Sequence, residues 1–298
     1  MSTRAALSPG SRVALIAPAG PLASEEELEQ SIRNAKALGW EPVVGEYANA
    51  REGYFAGADD MRLRDFLRAL DNQSIDGIWC VRGGYGAMRL LPELDVSHVS
   101  FAGKPLVGFS DITALHALWQ RAGVVSYHGP TARAPLTEFS RDWMVSALQT
   151  RDSLHLTSEA MQTITGGRAT GRLAGGNLAL LAALCGTPWQ VNLRNAIVII
   201  EDIGEAVYRL DRMLVQLRLA QAFEGCAGII FGQFTNCPEQ TEDGARTILS
   251  IIEETAAAVG VPVVANAPFG HIQEQWTLPL GELADLDADR CTTTIDRT

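Results

Sequence analysis

The chain is poor in cysteine, carries no excess of basic residues and contains no long apolar run. Five cysteines occur among 298 residues, at Cys80, Cys185, Cys226, Cys237 and Cys291, and no two form a C-x-x-C pair. An odd, scattered set argues against a disulfide framework or a zinc site and points to a reducing compartment. Cys80 and Cys185 lie inside apolar runs and read as small core side chains. The formal net charge is −11, which argues against nucleic acid and anionic membrane surfaces as partners, because both require a basic patch. No segment is long enough to span a bilayer, and the opening MSTRAALSPGSR lacks the apolar core of a signal peptide. A cytoplasmic protein is therefore expected. Also missing are internal repeats, low-complexity tracts, metal-ligand clusters and the glycine patterns that cradle phosphates, so no metal or cofactor is expected.

What is present fits a folded α/β protein. Apolar residues make up 47% and charged residues 20%, ordinary values for a packed chain. The length favours two modest cores over one large one. Short apolar runs alternate with helical patterns. RVALIAP (12–18), Glu41–Val44, IDGIWCV (75–81), Pro105–Phe109 and Val124–Tyr127 read as strands. Between them, Leu28, Ile32, Ala35 and Leu38 recur at helical spacing, as do Leu63, Phe66, Leu67 and Leu70. Ser24 to Glu27 has the form of a capping box for the first of these helices.

Such alternation implies a parallel sheet flanked by helices. The expected arrangement is an N-terminal domain over residues 1–150, a polar linker over 151–170 and a C-terminal α/β domain rich in strands over 171–298. In the second domain NAIVII (195–200) reads as a strand that stops at Glu201-Asp202. A helix follows, with Val207, Leu210, Leu214 and Leu217 on one stripe. Strand patterns near residues 276–280, 282–286 and 291–295 close the chain.

Three residues at strand ends could carry chemistry. Ser110 stands in Gly108-Phe109-Ser110-Asp111, between a strand and a helix. A sharp turn there lifts the hydroxyl clear of the sheet and gathers backbone N–H groups at one spot. The pattern departs from G-x-S-x-G, since Ile112 occupies the last glycine position, and taken alone it also fits a residue that merely caps the helix. Glu201 can face a cleft and orient an imidazole, or simply supply an acid near the start of the next helix. His271, in Pro268-Phe269-Gly270-His271, lies in a loop that can present either ring nitrogen. His116 shares an apolar helix face and reads as packed, whereas His128 ends a strand and could contact a substrate. The loop Arg82-Gly83-Gly84-Tyr85-Gly86 fits an anion cradle, half of an oxyanion hole or a plain turn.

Together these runs resemble the serine LD-carboxypeptidase family. The resemblance rests on Arg82 to Gly86, Gly108 to Asp111, Glu201-Asp202-Ile203-Gly204-Glu205 with Tyr208 and Asp211-Arg212, and Pro268 to His271. It extends to VALIAPAGP near the start and Leu173-Ala174-Gly175-Gly176-Asn177, in order over nearly the whole chain. It implies an N-terminal flavodoxin-like domain, a β-rich C-terminal domain and homodimers. It assigns Ser110 as nucleophile, His271 as general base and acid, Glu201 as its orienting carboxylate, and Gly84 and Asp111 as oxyanion N–H donors. The family needs no metal. Such a reaction requires recognition of a free terminal carboxylate; Arg82 is the nearest candidate to pair with it bidentately and fits a structural role equally well, with Tyr85 and His128 as further candidate substrate contacts. The implied reaction removes terminal D-alanine from murein tetrapeptides during peptidoglycan recycling. Microcin-immunity peptidases, which cleave aminoacyl- or peptidyl-nucleotide amides, look similar but tend to carry a longer insertion near the site, whereas this chain is compact between Gly166 and Glu201. A non-enzymatic two-domain binding protein for a small phosphorylated ligand is a third reading, weakened by the missing phosphate motifs.

Overall fold

The computed structural model describes residues 6–239 and 245–297. The chain forms two compact units. The first runs to Asp152 and takes back Trp276–Leu280; the second comprises Ser153–Gln275 and Gly281–Arg297.

In the first unit, strands and helices alternate: β1 (Arg12–Ile16), α1 (Glu25–Ala37), β2 (Glu41–Val44), α2 (Asp59–Asp71), β3 (Gly77–Cys80), α3 (Val96–Ala102), β4 (Leu106–Gly108), α4 (Thr113–Ala122), β5 (Ser126–His128) and α5 (Glu138–Gln149). The five strands pair in parallel in the order β2-β1-β3-β4-β5, which is the flavodoxin-like order. Strands β3, β4 and β5 are buried throughout, which is why they read as continuous apolar runs and not as alternating ones. The far edge is closed by β12 (Leu278–Leu280), antiparallel to β5. Two buried indoles find carbonyl acceptors, Trp79 on Pro130 at 2.7 Å and Trp119 on Lys104 at 2.8 Å, so neither N–H is stranded in the core.

The second unit holds β6 (Leu154–Thr157), β7 (Gln162–Thr165), β8 (Arg168–Asn177), α6 (Leu178–Leu184), β9 (Ala196–Ile203), α7 (Val207–Leu219), β10 (Gly228–Thr235), α8 (Ile248–Val259), β11 (Val263–Ala265), β13 (Leu283–Asp287) and β14 (Thr292–Asp296). Its sheet has the order β6-β14-β13-β8-β9-β10-β11-β7, with a parallel centre from β8 to β11 and antiparallel strands on both flanks. Helix α7 buries Val207, Leu210, Leu214 and Leu217, the stripe expected from its spacing.

Four local features differ from the sequence expectation. The stretch 151–170 is not a plain linker, since it supplies β6 and β7 to the second sheet. These strands are four residues each and only Leu154 and Leu156 alternate inward, too brief a period-two signal to stand out. The 276–280 segment pairs with the first sheet through β5, a long-range pairing that no local pattern announces. Strand β9 does not stop before Glu201 but continues through Ile203, so Glu201 is a strand residue, buried and held by the sheet. The capping box at Ser24 does not form: the Ser24 side chain accepts no cap hydrogen bond, and Glu27 accepts from the Ala23 N–H, one residue before the cap, at 2.6 Å.

Candidate active site

Strand β4 ends at Gly108, Phe109 is extended, and Ser110 turns to φ +64° before the chain enters a short 3-10 turn and α4. A left-handed conformation at a non-glycine residue costs on the order of 1–3 kcal/mol and persists only where the surroundings enforce it. Two strand ends supply that enforcement. The loop after β3 presses on the serine: a Cβ at Gly83 would stand 2.9 Å from the Ser110 Cβ and 3.2 Å from its Oγ, so only glycine fits. Asp111 is buried, and its Oδ2 accepts the Ala87 N–H at 2.7 Å, fastening the 82–86 loop to the serine turn. Burial pushes the Asp111 carboxyl up to about 6, against the lowering effect of that backbone donor.

The 82–86 loop is braced from two further sides. Gly83 C=O accepts from the Gly20 N–H at 2.9 Å, joining the loops that follow β1 and β3. Arg62, fully buried on α2, donates from Nη1 to the carbonyls of Pro18 at 2.5 Å and Gly86 at 2.9 Å, and pairs with Asp59. No local motif in the sequence marks Arg62. Its signal is its register, four residues before Phe66 and seven before Ala69 on the buried face of α2. His116 is packed as its context implied. Its ring nitrogens meet Ser126 Oγ and the Gly108 carbonyl, each at 2.9 Å, and burial lowers its pKa to about 4. The neutral ring thus props the strand end just before Ser110.

Of the residues expected to meet substrate, Arg82 and Tyr85 sit in the loop at partly and well exposed positions. Arg82 donates to the Pro21 carbonyl. His128 differs from expectation: it is fully buried, with its ring centroid 5.9 Å from Phe109 and 6.3 Å from His116. In this conformation it packs beside the residue that precedes Ser110 and offers no open surface.

In the second unit Glu201 and His271 come together. The His271 ring lies 15% exposed, and its Nδ1 is 2.7 Å from Oε2 of the buried Glu201. With Nδ1–H donating to the carboxylate, Nε2 carries the lone pair, the tautomer a general base requires, and the carboxylate stabilises an imidazolium once formed. The approach depends on Gly270, which has φ +109° and whose Cβ, if present, would lie 2.8 Å from Glu201 Oε2. The neighbouring Asp202 plays a different part. It accepts from Asn177 Nδ2 at 3.0 Å and the Ala179 N–H at 2.9 Å, tying the start of α6 to β9, and burial raises its carboxyl to about 6. Among the described residues no group of three or more His, Cys, Asp or Glu could hold a metal ion, and no helix is long and apolar enough to cross a membrane.

Two family models match the chain, the LD-carboxypeptidase N-terminal domain over residues 13–129 and the LD-carboxypeptidase C-terminal domain over residues 170–286. A murein tetrapeptide carboxypeptidase of Pseudomonas aeruginosa is 36% identical over 94% of each chain. Among solved structures, a muramoyltetrapeptide carboxypeptidase from Oxalobacter formigenes superposes with a TM-score of 0.86 at 28% identity, over 96% of this chain and 98% of that one. An MccF-like protein from Bacillus anthracis gives a TM-score of 0.89 at 25% identity over the full length of both.

Proposed function

The chain belongs to the LD-carboxypeptidase family, and from that premise we propose that it is a serine peptidase releasing terminal D-alanine from murein tetrapeptides. Ser110 is the nucleophile, His271 the general base and acid, and Glu201 the carboxylate that fixes the ring. The observation that carries this assignment is the 2.7 Å bond from His271 Nδ1 to a carboxylate with no exposure to solvent. The strained turn at Ser110 supports it independently.

In the proposed reaction His271 takes the proton of Ser110 as the hydroxyl attacks the carbonyl that precedes the terminal D-residue. The N–H groups of Gly84 and Asp111 stabilise the resulting oxyanion. The imidazolium then protonates the leaving amine, so the C–N bond breaks as the acyl-enzyme forms. Water deprotonated by His271 hydrolyses the ester and returns the serine. The reading carries with it a cytoplasmic role in peptidoglycan recycling and a homodimeric state.

The test is D-alanine release from L-Ala-γ-D-Glu-diaminopimelate-D-Ala by the purified protein and by Ser110→Ala. Release by the wild type alone supports the reading, and equal release by both removes Ser110 from it. The likeness to the MccF-like protein favours a second reading, cleavage of aminoacyl-nucleotide amides. The short course from Gly166 to Glu201, which holds only β8, α6 and the start of β9 with their connections, favours the cell-wall peptide. Turnover of a nucleotide amide with none of the tetrapeptide would reverse that preference.

A further inference from the structure

A crevice of about 550 Å³ opens within the first unit at the carboxyl ends of β1 and β3. Strand β1 lies between β2 and β3 in the sheet, so the order of the strands reverses between β1 and β3. Open parallel sheets bind ligands at such a switch point. Gly20, Pro21, Arg51, Tyr54, Arg82 and Tyr85 line it. Gly83 connects it to the serine: a Cβ at Gly83 would stand 3.2 Å from Ser110 Oγ on one side, and its carbonyl accepts the Gly20 N–H at 2.9 Å on the other.

The two arginines are unusual in their surroundings. Each guanidinium is docked on the loop after β1, Arg51 through Nη2 on the Leu22 carbonyl at 2.6 Å and Arg82 through Nη1 on the Pro21 carbonyl. Nearby Arg62, Arg89 and Arg133 each hold a carboxylate. Arg51 and Arg82 hold none within ion-pair distance among the described residues, in a chain whose net charge is −11. The carboxylate that acts on Arg82, Glu27, is itself paired with Arg133 at 2.8 Å, so two oriented guanidiniums with no carboxylate of their own in contact form a receptor for a planar oxyanion, which the fork geometry of arginine engages bidentately. Tyr54 and Tyr85, 67% and 49% exposed with centroids 5.8 Å apart, form an aromatic lip.

We propose that this crevice is the subsite for the substrate's C-terminal carboxylate, received by Arg51 and Arg82. The inference rests on Ser110 as the nucleophile. In a peptide with one residue beyond the scissile bond, the terminal carboxylate carbon lies about 4 Å from the carbonyl under attack. Arg82 Nε lies 3.9 Å from where a Gly84 Cβ would stand, at the loop assigned to the oxyanion. A terminal carboxylate engaged there makes a free C-terminus the feature that Arg51 and Arg82 select. The tyrosine lip bounds the room for the terminal residue.

The test compares the tetrapeptide with a free C-terminus against its C-terminal amide, using wild type, Arg51→Met, Arg51→Lys and Arg82→Met. Wild type should prefer the acid by about 100-fold in kcat/KM, the scale of a charge-assisted bidentate contact. Arg51→Met and Arg82→Met should each reduce that ratio about tenfold or more, and Arg51→Lys should restore part of it. A merely structural arginine would lower both substrates together and leave the ratio unchanged, which would overturn the proposal. Binding to Ser110→Ala by calorimetry gives an arm independent of turnover: the acid should bind more tightly than the amide, and equal or absent binding of the acid overturns the proposal. Preferential binding of the acid without any D-alanine release by the wild type would sink the peptidase reading and leave the crevice standing.

Discussion

The carboxylate of Asp111 accepts the Ala87 backbone N–H at 2.7 Å, and through that bond the turn bearing Ser110 and the loop bearing Gly84 are held as one piece. The same carboxylate is buried. Burial raises its folded pKa to about 6 from 3.8, so the protonated form is the one the fold favours. The stability gained is fully present below about pH 3.8 and is lost as pH rises through about 6.

Asp111→Asn removes this titration while keeping a side-chain acceptor. The stability of the variant relative to wild type should therefore rise with pH between about 4 and 7, by up to about 3 kcal/mol for a two-unit shift. Urea unfolding of both proteins across that range checks the sign. A difference that is flat with pH would show that Asp111 does not titrate in this window.

Ser110 holds φ +64°, a strain glycine does not feel. Ser110→Gly should be more stable than Ser110→Ala by about 1 kcal/mol, although neither should release D-alanine. The order of their urea midpoints decides the matter. Equal midpoints would mean that the turn relaxes once the serine is gone.

Gly270→Ala places a methyl 2.8 Å from Glu201 Oε2 and forces an alanine to φ +109°. The bond from His271 to Glu201 should lengthen or break, and kcat should fall at least tenfold with a smaller effect on KM. A circular dichroism spectrum and a melting curve separate this outcome from simple unfolding. Unchanged kcat in a folded variant would show that the histidine does not depend on its carboxylate.

Much of this was legible in the sequence because local physics wrote it there. The buried parallel strands of the first unit are short apolar runs with turn residues after them; Ser110, Asp111 and Glu201 lie at or next to the ends of such runs, and His271 lies in a loop between two of them. The stripe of α7 is visible in Val207, Leu210, Leu214 and Leu217, and each of them is buried. What the sequence concealed is set by distant partners. Leu278–Leu280 becomes the sixth strand of the first sheet only because Ser126–His128 offers an open edge. Glu201 reads as the residue after a strand, yet parallel pairing across β8 and β10 carries β9 on through it. Arg51 and Tyr54 lie in a segment without periodicity, and only folding sets them against the loops of β1 and β3.

The most direct test of the central claim is a mutant cycle in D-alanine release, with Ser110→Ala, His271→Ala, the double variant and Glu201→Gln. Residues that act as one catalytic unit are strongly non-additive. The account predicts that Ser110→Ala and His271→Ala each lose about as much kcat as the double variant. Glu201→Gln, which keeps the ring in place but weakens its orientation and charge, should lose about 10²- to 10⁴-fold. Losses that multiply in the double variant, or substantial release by Ser110→Ala alone, would contradict it.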